Sequence, residues 1–250
     1  MPFLFSDVLY GPVLSRRLGR SLGINLLPRP RKTCSFDCVY CEHGRTDILT
    51  LQSRGEGFPT AERVLEAVET GLTEYPHLDH LTFSGNGEPT LHPHFAAIAG
   101  GVRTLRDHLQ GSLRLALFSN STTVMRPEIL EALTLFDKPI LKLDAGDEET
   151  WLAINRPPPG VTLAAVLDGL SQVPNLVLQS LFLDGVVQNV RGRPYQAWLE
   201  AVERIRPKEV QIYSLDRPTP ERGLQEVCLE ELTRIAREVF ERTAIPAQAY

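Results

Sequence analysis

The apolar positions of this chain change period repeatedly. Short runs dense in Leu, Ile, Val and Phe read as strands buried on both faces, and between them lie longer segments whose apolar residues recur three and four apart, as in amphipathic helices. The runs fall at residues 22–28 (LGINLLP), 80–85 (HLTFSG), 113–120 (LRLALFSN), 139–145 (PILKLDA), 175–183 (NLVLQSLFL) and 209–215 (EVQIYSL). The helical segments fall at 60–72, 94–109, 126–136, 162–173, 194–205 and 229–243. Thr60 stands where an N-cap belongs, ahead of Val64, Leu65, Val68 and Leu72, and Pro127 occupies a first helical turn.

Strands alternating with helices predict parallel pairing through right-handed crossovers. Six such units are too few for a closed eight-unit barrel. They suit an open three-quarter barrel or a doubly wound sheet, and in both the chemistry gathers beyond the carboxyl ends of the strands. The polar residues of this chain do fall there: a cysteine cluster after the first strand, then SGNGEPTLHP (84–93), SNST (119–122), DAGDEE (144–149), Gln179 on the fifth strand, and QIYSLDRP (211–218). In the fourth strand Leu141 and Leu143 face one way while Lys142 and Asp144 face the other. Two charges on a strand face that should be buried need a partner, either each other or a polar ligand.

Composition narrows the class. The chain has 250 residues, 42% hydrophobic and 23% charged, which is ordinary for a soluble globular protein large enough to need no disulfide staples. Its net charge of −5 weighs mildly against general polyanion binding. The start, MPFLFSDVLYGP, lacks the basic region and apolar core of an export signal, and no run of about twenty apolar residues marks a membrane span. A reducing, cytoplasmic setting is therefore expected, in which clustered thiols read as metal ligands or redox groups.

Three of the four cysteines, Cys34, Cys38 and Cys41, lie within the eight residues 34–41. An odd number does not pair into disulfides, and a structural zinc site wants four ligands. Three thiols suggest a metal centre with one coordination position open. The alternative is a Cys3His zinc module in which His43 supplies the fourth ligand and no catalysis follows. A Rossmann reading fails because GNGEP lacks the G-x-G-x-x-G form and proline stands where a helix should begin.

Cys-x3-Cys-x2-Cys with Tyr40 before the last cysteine resembles the signature of the radical S-adenosylmethionine (radical SAM) superfamily. GNGEPTL (85–91) resembles that superfamily's second-strand glycine motif, with Asn86 in place of a glycine. The stretch 18–46, together with KLDAGDEETWLAINRP (142–157) and IYSLDRPTPE (212–221), is similar to an iron–sulfur oxidoreductase group related to the enzymes that build the wyosine base of tRNA. The resemblance runs from about residue 8 to about residue 220.

It implies a single domain over residues 1–250, folded as a partial (β/α)6 barrel. It also implies a [4Fe–4S] cluster on Cys34, Cys38 and Cys41, with one iron left to SAM. In the family, an electron from the reduced cluster cleaves SAM to methionine and a 5′-deoxyadenosyl radical, which abstracts hydrogen from the substrate. Gly85, Asn86, Gly87, Glu88 and Pro89 would bind the SAM ammonium through backbone carbonyls and the Glu88 carboxylate. Ser119 and Asn120 would reach the sugar or the methionyl part, Lys142 the SAM carboxylate and Asp144 the ribose. Gln179 and Tyr213 would line the adenine or substrate side. An electron donor such as a flavodoxin or ferredoxin is implied, and the substrate, a small molecule or a tRNA, is not named by the sequence.

Arg16, Arg17, Arg20, Arg29, Arg31 and Lys32 form a basic run with no acid between Asp7 and Asp37. They could make an anion-binding lip for tRNA; the plainer reading is that some offset the negative iron–sulfur core and the others are solvated. Cys228 is expected in the core, and His92 and His94 at a helix entry. NRPPPG (155–160) reads as a rigid connection on the barrel rim.

Overall fold

Gly19, Arg20 and Ser21 look like loop residues, yet they open the first parallel strand, because that strand has a neighbour on each side. A computed structural model describes residues 4–28, 30–52, 57–217 and 219–250; Arg29 of the basic run and Pro218 at the end of QIYSLDRP lie outside them. The hairpin β1 (Leu9–Ser15) and β2 (Gly19–Asn25) comes first, then two short strands, β3 (Thr33–Cys34) and β4 (Ile48–Leu49), that bracket the cysteine loop. The chain continues through α1 (Ala61–Glu74), β5 (His80–Ser84), α2 (Phe95–Leu109), β6 (Arg114–Ser119), α3 (Pro127–Leu133) and β7 (Lys138–Lys142). Next come α4 (Glu148–Asn155), α5 (Leu163–Leu170), β8 (Val177–Leu181), β9 (Leu183–Gly185) and α6 (Gly192–Ile205). The last elements are β10 (Glu209–Tyr213), β11 (Leu224–Glu226), α7 (Leu229–Thr243) and β12 (Ala247–Ala249).

Among the described residues the main sheet has eight strands in the order β1-β2-β5-β6-β7-β8-β10-β12. Only β1 runs antiparallel to its neighbour. Spatial order follows chain order with no reversal, so the switch point of a doubly wound sheet does not exist here. The sheet curls. Leu18 before β2 packs against Ala116 of β6, Ile140 of β7 and Val177 of β8, a contact that a flat sheet would keep several strand widths apart. The architecture is a partial (β/α)6 barrel, as expected, with β12 added at one edge and β1 at the other.

Alternation along the strands sorts the two faces. Leu22, Ile24, Leu81, Phe83, Leu115, Leu117, Leu141, Leu178, Val210 and Ile212 turn outward into the layer under the helices, all essentially inaccessible. There Phe83 meets Phe136 edge-on at 5.2 Å and Phe95 at 6.0 Å, which locks α2 and the segment after α3 onto β5. The concave face holds the shorter and polar side chains: Ser21 bonded to Thr82 (2.7 Å), Gln179 to Gln211 (3.4 Å) and Lys142 to Tyr213 (2.5 Å). No helix among the described residues is long and apolar enough to cross a membrane.

Three expectations are corrected. The first parallel strand spans Gly19–Asn25 instead of residues 22–28, since both neighbours recruit its polar start and Leu26 and Leu27 already belong to the outgoing turn. Among the described residues the parallel strands of the main sheet number seven, because β12 pairs with β10 through Val210, Gln211 and Ile212. Cys228 is exposed at the N-cap of α7 instead of lying in the core; the preceding Val227 takes the buried position. His94 does take the N-cap of α2, and the His92 ring bonds the Pro59 carbonyl at 2.8 Å.

Candidate metal and cofactor site

The cysteine loop is fixed at both ends before any ligand is considered. At its start, Thr33 bridges Gly87: the Thr33 N–H donates to the Asn86 carbonyl (3.1 Å) and the Glu88 N–H to the Thr33 carbonyl (3.2 Å). Only glycine permits this approach. A Cβ on Gly87 would stand 1.8 Å from the Thr33 carbonyl oxygen, on a backbone with φ of +138°. Further along, the Asp37 N–H donates to the Asn155 carbonyl (3.0 Å) and the Val39 N–H to the Ile154 carbonyl (2.9 Å), which ties the loop to the end of α4. The second-strand motif and the residues around DEETWLAIN are thus the two walls that shape the loop.

Cys34 and Cys38 are buried and Cys41 is half-buried; all three are free thiols. Burial pushes Cys34 up to about 12, against the pull of Lys32, and Cys38 up to about 11. Each of the two buried thiols has a side-chain hydrogen-bond donor from a distant part of the chain. Asn120 Nδ2 reaches Cys34 Sγ at 3.5 Å and Asn155 Nδ2 reaches Cys38 Sγ at 3.4 Å, while the Lys32 ammonium lies buried in the same loop and feels Cys41 most strongly. Lys32 is only 2% exposed, and its Nζ also donates to the Gly44 carbonyl (2.7 Å). Burial pulls the Lys32 ammonium down, but the three cysteines, Cys41 foremost, more than offset this and hold it above its usual range.

Those features fit an anionic thiolate-bound group. A buried ammonium needs a negative partner, and the three sulfurs are what Lys32 faces. Soft thiolates suit an iron–sulfur cluster. Among the described residues no three Cys, His, Asp or Glu side chains gather around one point as a single ion would require. His43 packs edge-on to Phe5 at 5.7 Å, so the Cys3His zinc alternative finds no support here.

The expected SAM contacts fall into three groups. Around the glycine turn, the side chains are already engaged. Asn86 exchanges hydrogen bonds with the Phe5 backbone (2.8 and 3.0 Å). Glu88 is 1% exposed; its Oε1 accepts from the Thr90 N–H and hydroxyl (3.1 and 2.6 Å) and its Oε2 from the Asn120 N–H (2.6 Å). Burial pushes Glu88 up despite these donors, while the nearby Ser119 hydroxyl accepts from the Ser121 N–H at 3.2 Å. What the turn 85–89 leaves available is backbone. Gly85 is shaped for this, since a Cβ there would lie 2.5 Å from Asn25 Oδ1.

The second group is a charged knot. Asp144, 1% exposed, accepts from the Tyr40 phenol (2.5 Å), Asn155 Nδ2 (2.8 Å) and the Leu181 N–H (2.9 Å), and Lys142 Nζ stands 3.4 Å away. Burial pulls Lys142 down, but Asp144 foremost and then Tyr213 more than offset it. The two charges on one face of β7 are therefore partners for each other, with Tyr40 and Tyr213 around them. Gln179 is the register neighbour of Lys142 on the adjacent strand, but its side chain bonds Gln211 instead of the charged pair.

Three residues missed in the sequence complete the site. Asn155 sits inside the rim segment and bonds both Cys38 and Asp144. Its helix α4 carried a readable signal: Asp147 caps it by accepting from the Thr150 N–H (2.9 Å). Asn25 ends β2 with a buried Nδ2 that has no partner, and Asn155 Oδ1 is likewise buried and unpaired. Lys32 was one cation of a run, with nothing in the sequence to separate it from its neighbours.

The profile of the "Radical SAM superfamily" matches residues 30–175. A UPF0026 protein of Methanocaldococcus jannaschii is 32% identical over 91% of this chain and 70% of its own length. A UPF0026 protein of Synechocystis sp. is 36% identical over 85% and 77%. Among solved structures, that of TYW1 with a lysine-pyruvate adduct bound superposes with a TM-score of 0.65 at 14% identity, covering 90% of this chain and 74% of the other. A radical SAM methyltransferase from Sphaerobacter thermophilus gives 0.63 at 17% identity, covering 92% and 65%.

Proposed function

The chain belongs to the radical SAM superfamily, and from that premise we propose that residues 1–250 act as one oxidoreductase-type enzyme domain. In it, Cys34, Cys38 and Cys41 hold a [4Fe–4S] cluster, and the mouth of the barrel binds SAM. The observation that carries the reading is a buried ammonium, Lys32, amid three thiols that hold its charge, two of which also accept from an asparagine amide. When both groups are bound, the chemistry supplied is reductive cleavage of SAM to methionine and a 5′-deoxyadenosyl radical that abstracts hydrogen from the substrate.

The chain's own residues position these groups. The carbonyls of the turn 85–89, with Gly85, Gly87 and Pro89 in its backbone, receive the SAM ammonium. Asn86 and Glu88 keep that turn rigid through the bonds they already make, with Ser119 beside Glu88 at the end of β6. Asn120 stands between Cys34 and the turn. Asn25 Nδ2, next to the glycine turn, and Asn155 Oδ1, next to Cys38, are buried without partners and would take polar groups of the bound cofactors. Lys142 offers its ammonium to the SAM carboxylate, Asp144 orients Lys142 and lies beside the ribose, and Tyr213 and Gln179 form the wall toward adenine and substrate. An external one-electron donor such as a flavodoxin or ferredoxin reduces the cluster, in a cytoplasm that keeps the thiols free.

A small substrate fits better than tRNA. The basic run does not form a continuous lip among the described residues: Arg16 pairs with Asp216 (2.9 Å), Arg17 lies over the Tyr213 ring (4.6 Å), and Lys32 is buried. Arg20 and Arg31 remain exposed. The test is anaerobic reconstitution followed by mass analysis of 5′-deoxyadenosine formed with dithionite and deuterated candidate substrates. Production by the wild type and none by Cys38→Ala supports the assignment; equal production by both removes it.

A further inference from the structure

Asn120 and Asn155 reach Cys34 and Cys38, and the buried Lys32 sits in the same loop with its ammonium on the Gly44 carbonyl; the three come from separate elements, one residue after β6, the last turn of α4 and one residue before β3. An amide donor on each of the two buried sulfurs, with a buried cation beside them, is more than loop packing requires, since the loop is already held by backbone bonds to Asn86, Glu88, Ile154 and Asn155. Lys32 differs from the other two because it brings a charge. It makes no ion pair with a carboxylate among the described residues; Asp47 Oδ2 accepts from its backbone N–H (2.8 Å) and not from its ammonium.

Taking up an electron adds a negative charge to an iron–sulfur group, so donors and cations on its sulfurs favour the reduced form and raise the potential. Resting on the reading that these thiols hold a [4Fe–4S] cluster, we propose that Lys32, with Asn120 and Asn155 in support, sets the reduction potential of that cluster. The electron itself comes from the external one-electron donor named above. Lys32 is a positioning residue: it acts on the cluster through the sulfurs and not on the substrate. It acts by its charge, because the burial that makes an unpaired ammonium costly also strengthens its attraction to the thiolates.

The experiment is a redox titration of the reconstituted protein, followed by the spin signal of the reduced cluster, in the wild type, Lys32→Met, Lys32→Gln, Asn120→Leu and Arg20→Gln. Lys32→Met is expected to lower the midpoint by at least the tenfold change in equilibrium that equals about 59 mV for one electron. Lys32→Gln, which keeps a donor without the charge, and Asn120→Leu should each lower it less, and the exposed Arg20→Gln should leave it in place. An unchanged midpoint in cluster-bearing Lys32→Met overturns the proposal. If Lys32→Met carries no cluster, Lys32→Gln and Asn120→Leu decide on the same criterion. Loss of the cluster from all three assigns these residues to assembly and overturns it too. A wild type that takes up no cluster instead removes the underlying reading, a separate result.

Discussion

The Tyr40 phenol donates to Asp144 across 2.5 Å, so the residue before the third cysteine is tied to the end of the fourth parallel strand. Asp144 in turn holds Asn155, and Asn155 holds Cys38. The cysteine loop and the barrel mouth are therefore one network. Tyr40→Phe removes a donor from a carboxylate that water does not reach, and such a loss costs about 1–3 kcal/mol. Urea unfolding of the metal-free variant should show that loss, and iron retention after gel filtration should fall below that of the wild type.

Gly87→Ala should be more severe. The added Cβ meets the Thr33 carbonyl at 1.8 Å on a left-handed backbone. Strain and overpacking together amount to roughly 2–6 kcal/mol. Gly100, which has open space around its Cβ position, provides the control: Gly100→Ala on α2 should be neutral or slightly stabilising. Paired thermal melts read the difference directly.

Phe83→Ala should cost about 3–5 kcal/mol, because Phe83 is fully buried between Phe95 and Phe136 and the void cannot collapse under a helix layer. A urea midpoint lowered to that extent with an unchanged slope is the expected result.

How much of this was legible in the sequence differs by element. Six strands and six helices were readable because each carries its own period, and Cys34, Cys38 and Cys41 stood out by spacing alone. Strand β1 escaped because Gly11 and Pro12 interrupt its alternation, and an edge strand shows little burial to read. Strand β12, AQA, has three residues and no apolar run. At the site, the sequence showed that Glu88, Lys142 and Asp144 needed partners but not which ones. Whether a carboxylate meets a ligand or an amide thirty residues away is decided by tertiary contact. Asn25 and Asn155 carry no local pattern at all; only the fold brings Asn25 to the glycine turn and Asn155 to Cys38, and nothing local marks Lys32 as the buried cation of its run.

The pH dependence of stability has a definite sign at His80. Burial, together with the charges of Lys138 and Arg114, holds His80 below its ordinary value, while Nδ1 bonds the Leu18 carbonyl at 2.6 Å. The unfolded chain therefore takes up a proton first as pH falls, and stability is lost from about 6.5 downward to the folded value. His92 is held low by burial as well and adds in the same direction. Metal-free wild type should lose urea resistance between pH 7.5 and pH 5.5, and His80→Gln should lose less over that interval.

The central claim is that three thiolates hold a cubane with one iron left for SAM. Its most direct measurement is the electron spin resonance spectrum of the reduced, oxygen-protected protein before and after SAM is added. A cluster signal that shifts with SAM in the wild type and is missing in Cys38→Ala is the predicted result. A protein without a cluster, or with a signal indifferent to SAM, contradicts it.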